Sequence, residues 1–416
     1  MRYSMSLPNT PNRNLTAIKW LTFLMFMMFA MTTDSVGEII PRVIQEFHLS
    51  NVAAGAFHYA PMTAIALAAI FLGYLADKLG RKKTIIIGLV LFALNSYLFV
   101  AGNAFLFFLA LLVISGAAIG IFKTGALALI GDISKSTSEH TSTMNTVEGF
   151  FGVGAIIGPA LVKKLLLAGF SWKWLYVIAG TICVLLIVTA SLVKYPKTFK
   201  TVDESIDLRR TMIMMKNPYA LGFSLGIFLY VAAECAVYVW MPTLFADYTG
   251  SFTFLAAYAL PAFFVLRAAG RFLGAWVLAR YNWTSVMALF SLAILLCFAG
   301  SIAGGLSCAI WLLPLSGLFM SMIYPTLNSK GISCFPKTEH GAVAGVILFF
   351  TCAAAASGPL AMGAVSDVFG HTKYGFVLAT LFSALLFAGL LLNRIYNPAR
   401  KRLAELDSSE YKEAGA

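Results

Sequence analysis

The chain is short of charge. Of its 416 residues only 12% are Asp, Glu, Lys or Arg, against about 25% in a soluble domain, too few to cover a water-facing surface. Cysteine chemistry is missing too. Cys183, Cys235, Cys297, Cys308, Cys334 and Cys352 stand singly, mostly inside apolar runs, with no spacing suited to zinc or a redox pair. They read as small buried hydrophobes. The five histidines lie far apart, and neither a nucleophile motif nor a phosphate-binding glycine loop appears. A filter motif and an attached soluble domain are also lacking. These absences argue against a membrane enzyme, a channel and a receptor. The first 15 residues are polar, and the apolar run behind them is too long for a signal h-region. The first span is therefore expected to be retained.

Long apolar runs are abundant. Hydrophobic residues make up 60% of the chain and mean hydropathy is +0.83. A spanning helix needs about 20 mostly apolar residues. Such runs fall near 19–40, 53–76, 84–102, 104–131, 141–162 and 173–193, and again near 218–243, 253–279, 283–304, 306–328, 340–363 and 373–395. The pattern predicts an all-α integral membrane protein of twelve transmembrane helices. It divides into an N-terminal six-helix bundle (1–193), a basic cytoplasmic linker (194–217), a C-terminal six-helix bundle (218–395) and a cytoplasmic tail (396–416) expected to be mobile.

The formal charge of +12 lies in the loops between spans, so it implies no nucleic-acid partner. With the N-terminus inside, about 23 Lys and Arg fall on the cytoplasmic side and about 5 outside, Lys123 and Arg267 being within spans. Both termini are thus expected in the cytoplasm of a multi-pass protein of the plasma or inner membrane. The loop "GYLADKLGRKKT" after the second span is faintly echoed by "GRFLGAWVLARYNWT" after the eighth, with Leu278 where Asp77 would stand. Two parallel six-helix repeats are a transporter architecture.

Gly73 to Lys83, "GYLADKLGRKK", resembles the signature loop of the major facilitator superfamily, with Gly73, Leu75, Asp77, Gly80, Arg81 and Lys82 in place. Gly73 suits close helix packing and Gly80 a tight turn. The resemblance implies that the aspartate helps latch two halves together. Asp77 is expected to meet the N-terminal end of the eleventh helix near His340 and Gly341, where the helix dipole favours an anion. "MNTVEGFFGVGAIIGPALV", "FLYVAAECAVYVWMPTLF" and "FMSMIYPTLNSKGI" are similar to the fucose/glucose–proton symporter branch. That resemblance implies a twelve-helix fold, a central cavity, and a monosaccharide or sugar-like solute driven inward by a cation. No cofactor is implied; the coupling ion is a proton, with sodium the alternative. The partners are a small polar solute and the lipid bilayer, and the protein is expected to be a monomer. In that branch the fourth helix carries an acid where this chain has Lys123, which weakens the carry-over of both sugar binding and coupling.

Ionisable residues inside spans point to function. Here they are Asp34, Glu38, Lys123, Glu148, Glu234 and Arg267. Lys123 and Glu148 fall at similar depth, each about 10 Å from the inner end at 1.5 Å per residue, and are expected to pair. Asp34 and Glu38 are four apart on one helical face and are expected to share a proton, unless Glu38, near the outer end, is a solvated helix terminus and Asp34 acts alone. Glu234 is a candidate coupling or hydroxyl-binding carboxylate. Its neighbours Tyr238 and Trp240 suit stacking on a sugar ring, and face one side only if the helix breaks or winds loosely. Arg267 is placed to neutralise an acid or an anionic cargo. Asn145, Tyr324 and Asn328 are neutral hydrogen-bonders of the kind sugar sites use, whereas His58 reads as packed or interfacial. Two alternatives stay open. Gly154-x-x-x-Gly158-Pro159 resembles the helix-five motif of drug–proton antiporters, and Lys123 with Arg267 suits an organic-anion (sugar-acid) symporter.

Overall fold

The computed structural model describes residues 12–49, 51–196, 208–245 and 248–411. Among these there is no strand. Twelve helices are long and apolar enough to cross a bilayer: α1 Asn14–Ile40, α2 Ala53–Leu72, α3 Arg81–Val100, α4 Phe105–Ile133, α5 Thr137–Leu167, α6 Trp174–Leu192, α7 Pro218–Phe245, α8 Thr253–Arg280, α9 Trp283–Ala303, α10 Gly305–Ser333, α11 Lys337–Phe369 and α12 Lys373–Tyr396. Many apolar side chains on their outer faces, such as Leu106, Leu185 and Leu289, are exposed. In hydrocarbon that exposure carries no hydrophobic cost.

Helices α1–α6 pack chiefly among themselves, as do α7–α12, and the two sets meet most extensively along α2/α11 and α5/α8. Small residues set these approaches. A Cβ at Gly73 would lie 3.2 Å from the Gly341 carbonyl and from Gly345 Cα. At Gly152 a Cβ would lie 3.0 Å from that of Ala268. The Gly154/Gly158 pair is used within the first set, its backbone pressed against Ala30 and Met31 of α1. Gly-x-x-x-Gly-Pro therefore serves plain helix packing here.

Three helices lose regularity within their spans. α1 breaks at Asp34–Ser35, α7 winds into a π-turn over Ala236–Trp240, and α10 breaks at Ser321–Met322. The freed backbone groups are permitted at such depth because they face protein or a cavity.

The tail departs from expectation. Beyond Asn397 it forms a helix, Arg400–Leu406, and a π-turn, Asp407–Tyr411, and it docks rather than hanging free. Leu403, Leu406 and Tyr411 are buried. Asp407 Oδ1 accepts from Thr137 N–H of α5 at 2.8 Å, while Arg402 Nε donates to the Cys334 carbonyl at 3.0 Å. The docked segment thus touches both sets. Of the stretch 194–217, residues 197–207 lie outside the described residues; its helix Leu208–Met214 packs on α2 and α11.

Candidate functional site: a charged cavity above a closed end

At the end of the bundle that carries the termini, the two sets are sealed by buried charge. Asp77 and Arg81 form an ion pair one helical turn apart. Arg81 also pairs through Nε with Asp132 of α4 at 2.9 Å and donates through Nη2 to the Lys337 carbonyl. Asp77 accepts from the N–H groups of Gly341 and Ala342 at 3.0 and 2.9 Å. These are the open donors of the first turn of α11, where the dipole favours a carboxylate. Gly80 adopts φ 92°, a conformation that costs a side-chain-bearing residue. Burial raises the Asp77 carboxyl above the ordinary range, and Arg81 and the two N–H groups act against that rise.

A second seal lies beside the first. His140 Nδ1 of α5 meets Ser329 Oγ at 2.8 Å and Ser333 Oγ at 2.9 Å, both on α10. Thr141 and Ser329 share a hydrogen bond at 2.9 Å. Burial pushes the nearby Cys334 thiol up to about 12, so it stays an unreactive thiol. None of these polar partners stood out in sequence. They are common residues whose meaning arises only when α5 and α10 are brought together.

Above these seals sits a cavity of about 410 Å³, within the roughly 300–1,000 Å³ that small-molecule sites occupy. Its wall carries three carboxylates, Asp34, Glu148 and Glu234, and three cations, Lys123, Arg267 and Arg271. Gly37, Ile40, Gly55 and Tyr59 line it towards the end opposite the termini.

Four of the six charges are paired. Arg267 Nε lies 2.8 Å from Glu234 Oε1, which also accepts from Tyr230 Oη one turn earlier. Arg271 of α8 reaches Glu148 of α5 twice, donating to its carbonyl at 2.8 Å and approaching its carboxylate at 3.6 Å. Glu148 therefore does not pair with Lys123. The arginine of the opposite set presents a fork from directly across the α5/α8 contact, and a fork suits a carboxylate better than an ammonium does. Arg271 lies inside the eighth span beside Arg267 and was not singled out among the ionisable residues within spans. Its spacing of four from Arg267, one face of one helix, was the available signal.

The two remaining charges have no ion pair among the described residues. Asp34 accepts a hydrogen bond from Thr33 Oγ1 at 2.8 Å. Lys123, on α4, lies 4.6 Å from the ring centre of Phe151 and 5.8 Å from that of Phe26. Such cation–π contacts hold an ammonium without neutralising it. Asp34 and Glu38 do not share a proton. The break in α1 falls between them, leaving Asp34 on the cavity wall and Glu38 exposed outside it.

Among the neutral candidates, Tyr238 and Tyr324 line the cavity. Trp240 does not, because the π-turn directs its indole N–H to the Pro359 carbonyl at 3.2 Å. Asn145 donates to Thr141 O within its own helix, and Asn328 donates to Tyr324 Oη at 3.4 Å. Both are buried off the cavity wall. His58 lines the cavity rather than the membrane interface. Among the described residues no group of three or more His, Cys, Asp or Glu could hold a metal ion.

Comparisons with known proteins bear on the fold and the family. The chain is 27% identical over 406 residues to the L-fucose-proton symporter of Escherichia coli K12, covering 87% of this chain and 90% of that one. It is 22% identical over 382 residues to a glucose/galactose transporter of Brucella abortus, covering 88% and 92%. The crystal structure of FucP in its outward conformation superposes with a TM-score of 0.77 at 24% identity, over 91% of this chain and 99% of that one. The sequence profile of the Major Facilitator Superfamily matches residues 22–359, so the chain belongs to that family of transporters and is not an enzyme.

Proposed function

We propose that the protein is a proton-coupled monosaccharide symporter working by alternating access. The observation that carries this reading is Asp34, a cavity-wall carboxylate held by a hydroxyl and in no ion pair among the described residues. Glu148 and Glu234 are each neutralised by an arginine, so Asp34 is the carboxylate whose charge is free to change. A proton on Asp34 alters the charge buried when the cavity closes, and with it the relative stability of open and closed states. The similarity to a fucose–proton symporter and a glucose/galactose transporter supports a sugar as cargo and a proton as the ion.

The two six-helix sets, 1–193 and 218–395, rock about the cavity, joined by the linker 194–217. The end carrying the termini faces the cytoplasm, as the excess of lysine and arginine there supports. The monomer is the working unit in the cell membrane. Sealed at its inner end by Asp77 and Arg81, the described state is outward-facing. The test is uptake into proteoliposomes by a panel of labelled neutral and acidic monosaccharides. An acid-outside gradient should drive accumulation of at least one of them, and a protonophore should abolish it. Accumulation driven by sodium alone, or none with any sugar, would refute the proposal.

A further inference from the structure

The charge count on the cavity wall has a consequence for the cargo. With Glu234 and Glu148 each in an ion pair with an arginine, the cavity-wall charges left outside an ion pair among the described residues are Asp34 on α1 and Lys123 on α4. Lys123 has neither a carboxylate nor a hydrogen-bond acceptor among the described residues, only the faces of Phe151 and Phe26. An ammonium sealed into a closed membrane cavity without a counter-charge is strongly disfavoured.

We infer that the cargo is a monosaccharide bearing one carboxylate, a sugar acid, and that Lys123 is the residue that selects it. This rests on the proton-coupled sugar symport proposed above. Four loading states follow. The empty cavity with ionised Asp34 is neutral and closes, which allows the return step. The proton alone leaves a net charge of +1, and the sugar anion alone leaves −1; both resist closure. Proton and monoanion together restore neutrality, and the cavity closes again. Obligatory coupling follows from this balance, with one proton per sugar and no net charge moved. A neutral hexose lacks this property, since protonating Asp34 for its passage would strand Lys123. A phosphomonoester brings about two negative charges at neutral pH and overshoots.

The test is uptake by the full-length protein in proteoliposomes with an acid-outside gradient, membrane potential clamped by potassium and valinomycin. The probes are D-galacturonate, D-galactose and glucose 6-phosphate. Galacturonate should accumulate at a rate independent of the clamped potential, and galactose should not. Lys123→Gln should lower galacturonate uptake by roughly tenfold or more, the loss of one charge-assisted contact. Lys123→Arg, which keeps the charge, should retain most of it. Thermal stabilisation of purified Lys123→Gln by galacturonate, compared with wild type, separates lost binding from lost folding. Galactose accumulating as well as galacturonate, galacturonate uptake that follows the potential, or preference for glucose 6-phosphate would each overturn the assignment of a monoanion while leaving proton-coupled transport standing. No uptake of any of the probes, with none of the wider sugar panel moving either, would sink the symport reading itself.

Discussion

The inner seal and the central cavity use the same residue types to opposite ends. At the seal both acids of the cluster are ion-paired with Arg81. Asp77 meets an arginine and two backbone N–H groups, and Asp132 meets the same arginine. In the cavity two acids are answered and one is not, and one cation faces only aromatic rings. A cluster whose acids are all ion-paired suits a latch, whose task is to be stable in one state. One with an unpaired acid suits a site whose charge must change with its occupants. Incomplete pairing marks where cargo and proton act, and buried charge alone does not.

This contrast can be broken experimentally, and the largest effect is expected where pairing is incomplete. Asp34→Asn should abolish proton-driven accumulation, by about 100-fold or more, because no titratable charge remains to report the proton. Sugar counterflow, which needs no net proton movement, should survive. Arg271→Met is next. It strands Glu148, and breaking one partner of a buried pair costs about 3–5 kcal/mol. Uptake and thermal stability should both fall, and the added Glu148→Gln should recover stability. At the seal, Asp77→Asn keeps an acceptor for the α11 N–H groups but loses the charge, which is worth about 1–2 kcal/mol at a helix N-terminus. Cysteines placed at the inner end should become more accessible to a thiol reagent, with a smaller fall in thermal stability than in Arg271→Met. The smallest effect belongs to the tail. Removing residues 397–416 deletes the Asp407 and Arg402 contacts and should raise inner-end accessibility about twofold to threefold without changing which sugar is carried.

What could be read in the sequence follows the same division. The twelve spans were legible because hydropathy is a local property of about 20 residues, and bilayer thickness fixes the length. Asp77 could be referred to the start of α11 because a helix N-terminus and an anion attract wherever they meet. The pairing inside the cavity was not legible. Lys123 and Glu148 share a depth, but depth does not fix which face of α5 turns towards which helix, and Arg271 stands nearer to Glu148. Asp34 and Glu38 share a face only on an unbroken helix, and α1 breaks between them with neither a proline nor a glycine at the break to announce it. The docked tail was hidden because its composition is polar; only the placement of Leu403, Leu406 and Tyr411 reveals its apolar side.

The central claim is that Asp34, and neither of the arginine-paired carboxylates Glu148 and Glu234, binds the coupling proton. Proton uptake on binding of a transported sugar, read with a pH dye on purified protein in weak buffer, tests this most directly. The account predicts about one proton taken up per sugar bound in the wild type, none in Asp34→Asn, and retained uptake in the charge-conserving double variant Arg271→Met with Glu148→Gln. Undiminished uptake in Asp34→Asn, with its loss in Glu148→Gln or Glu234→Gln, would contradict it.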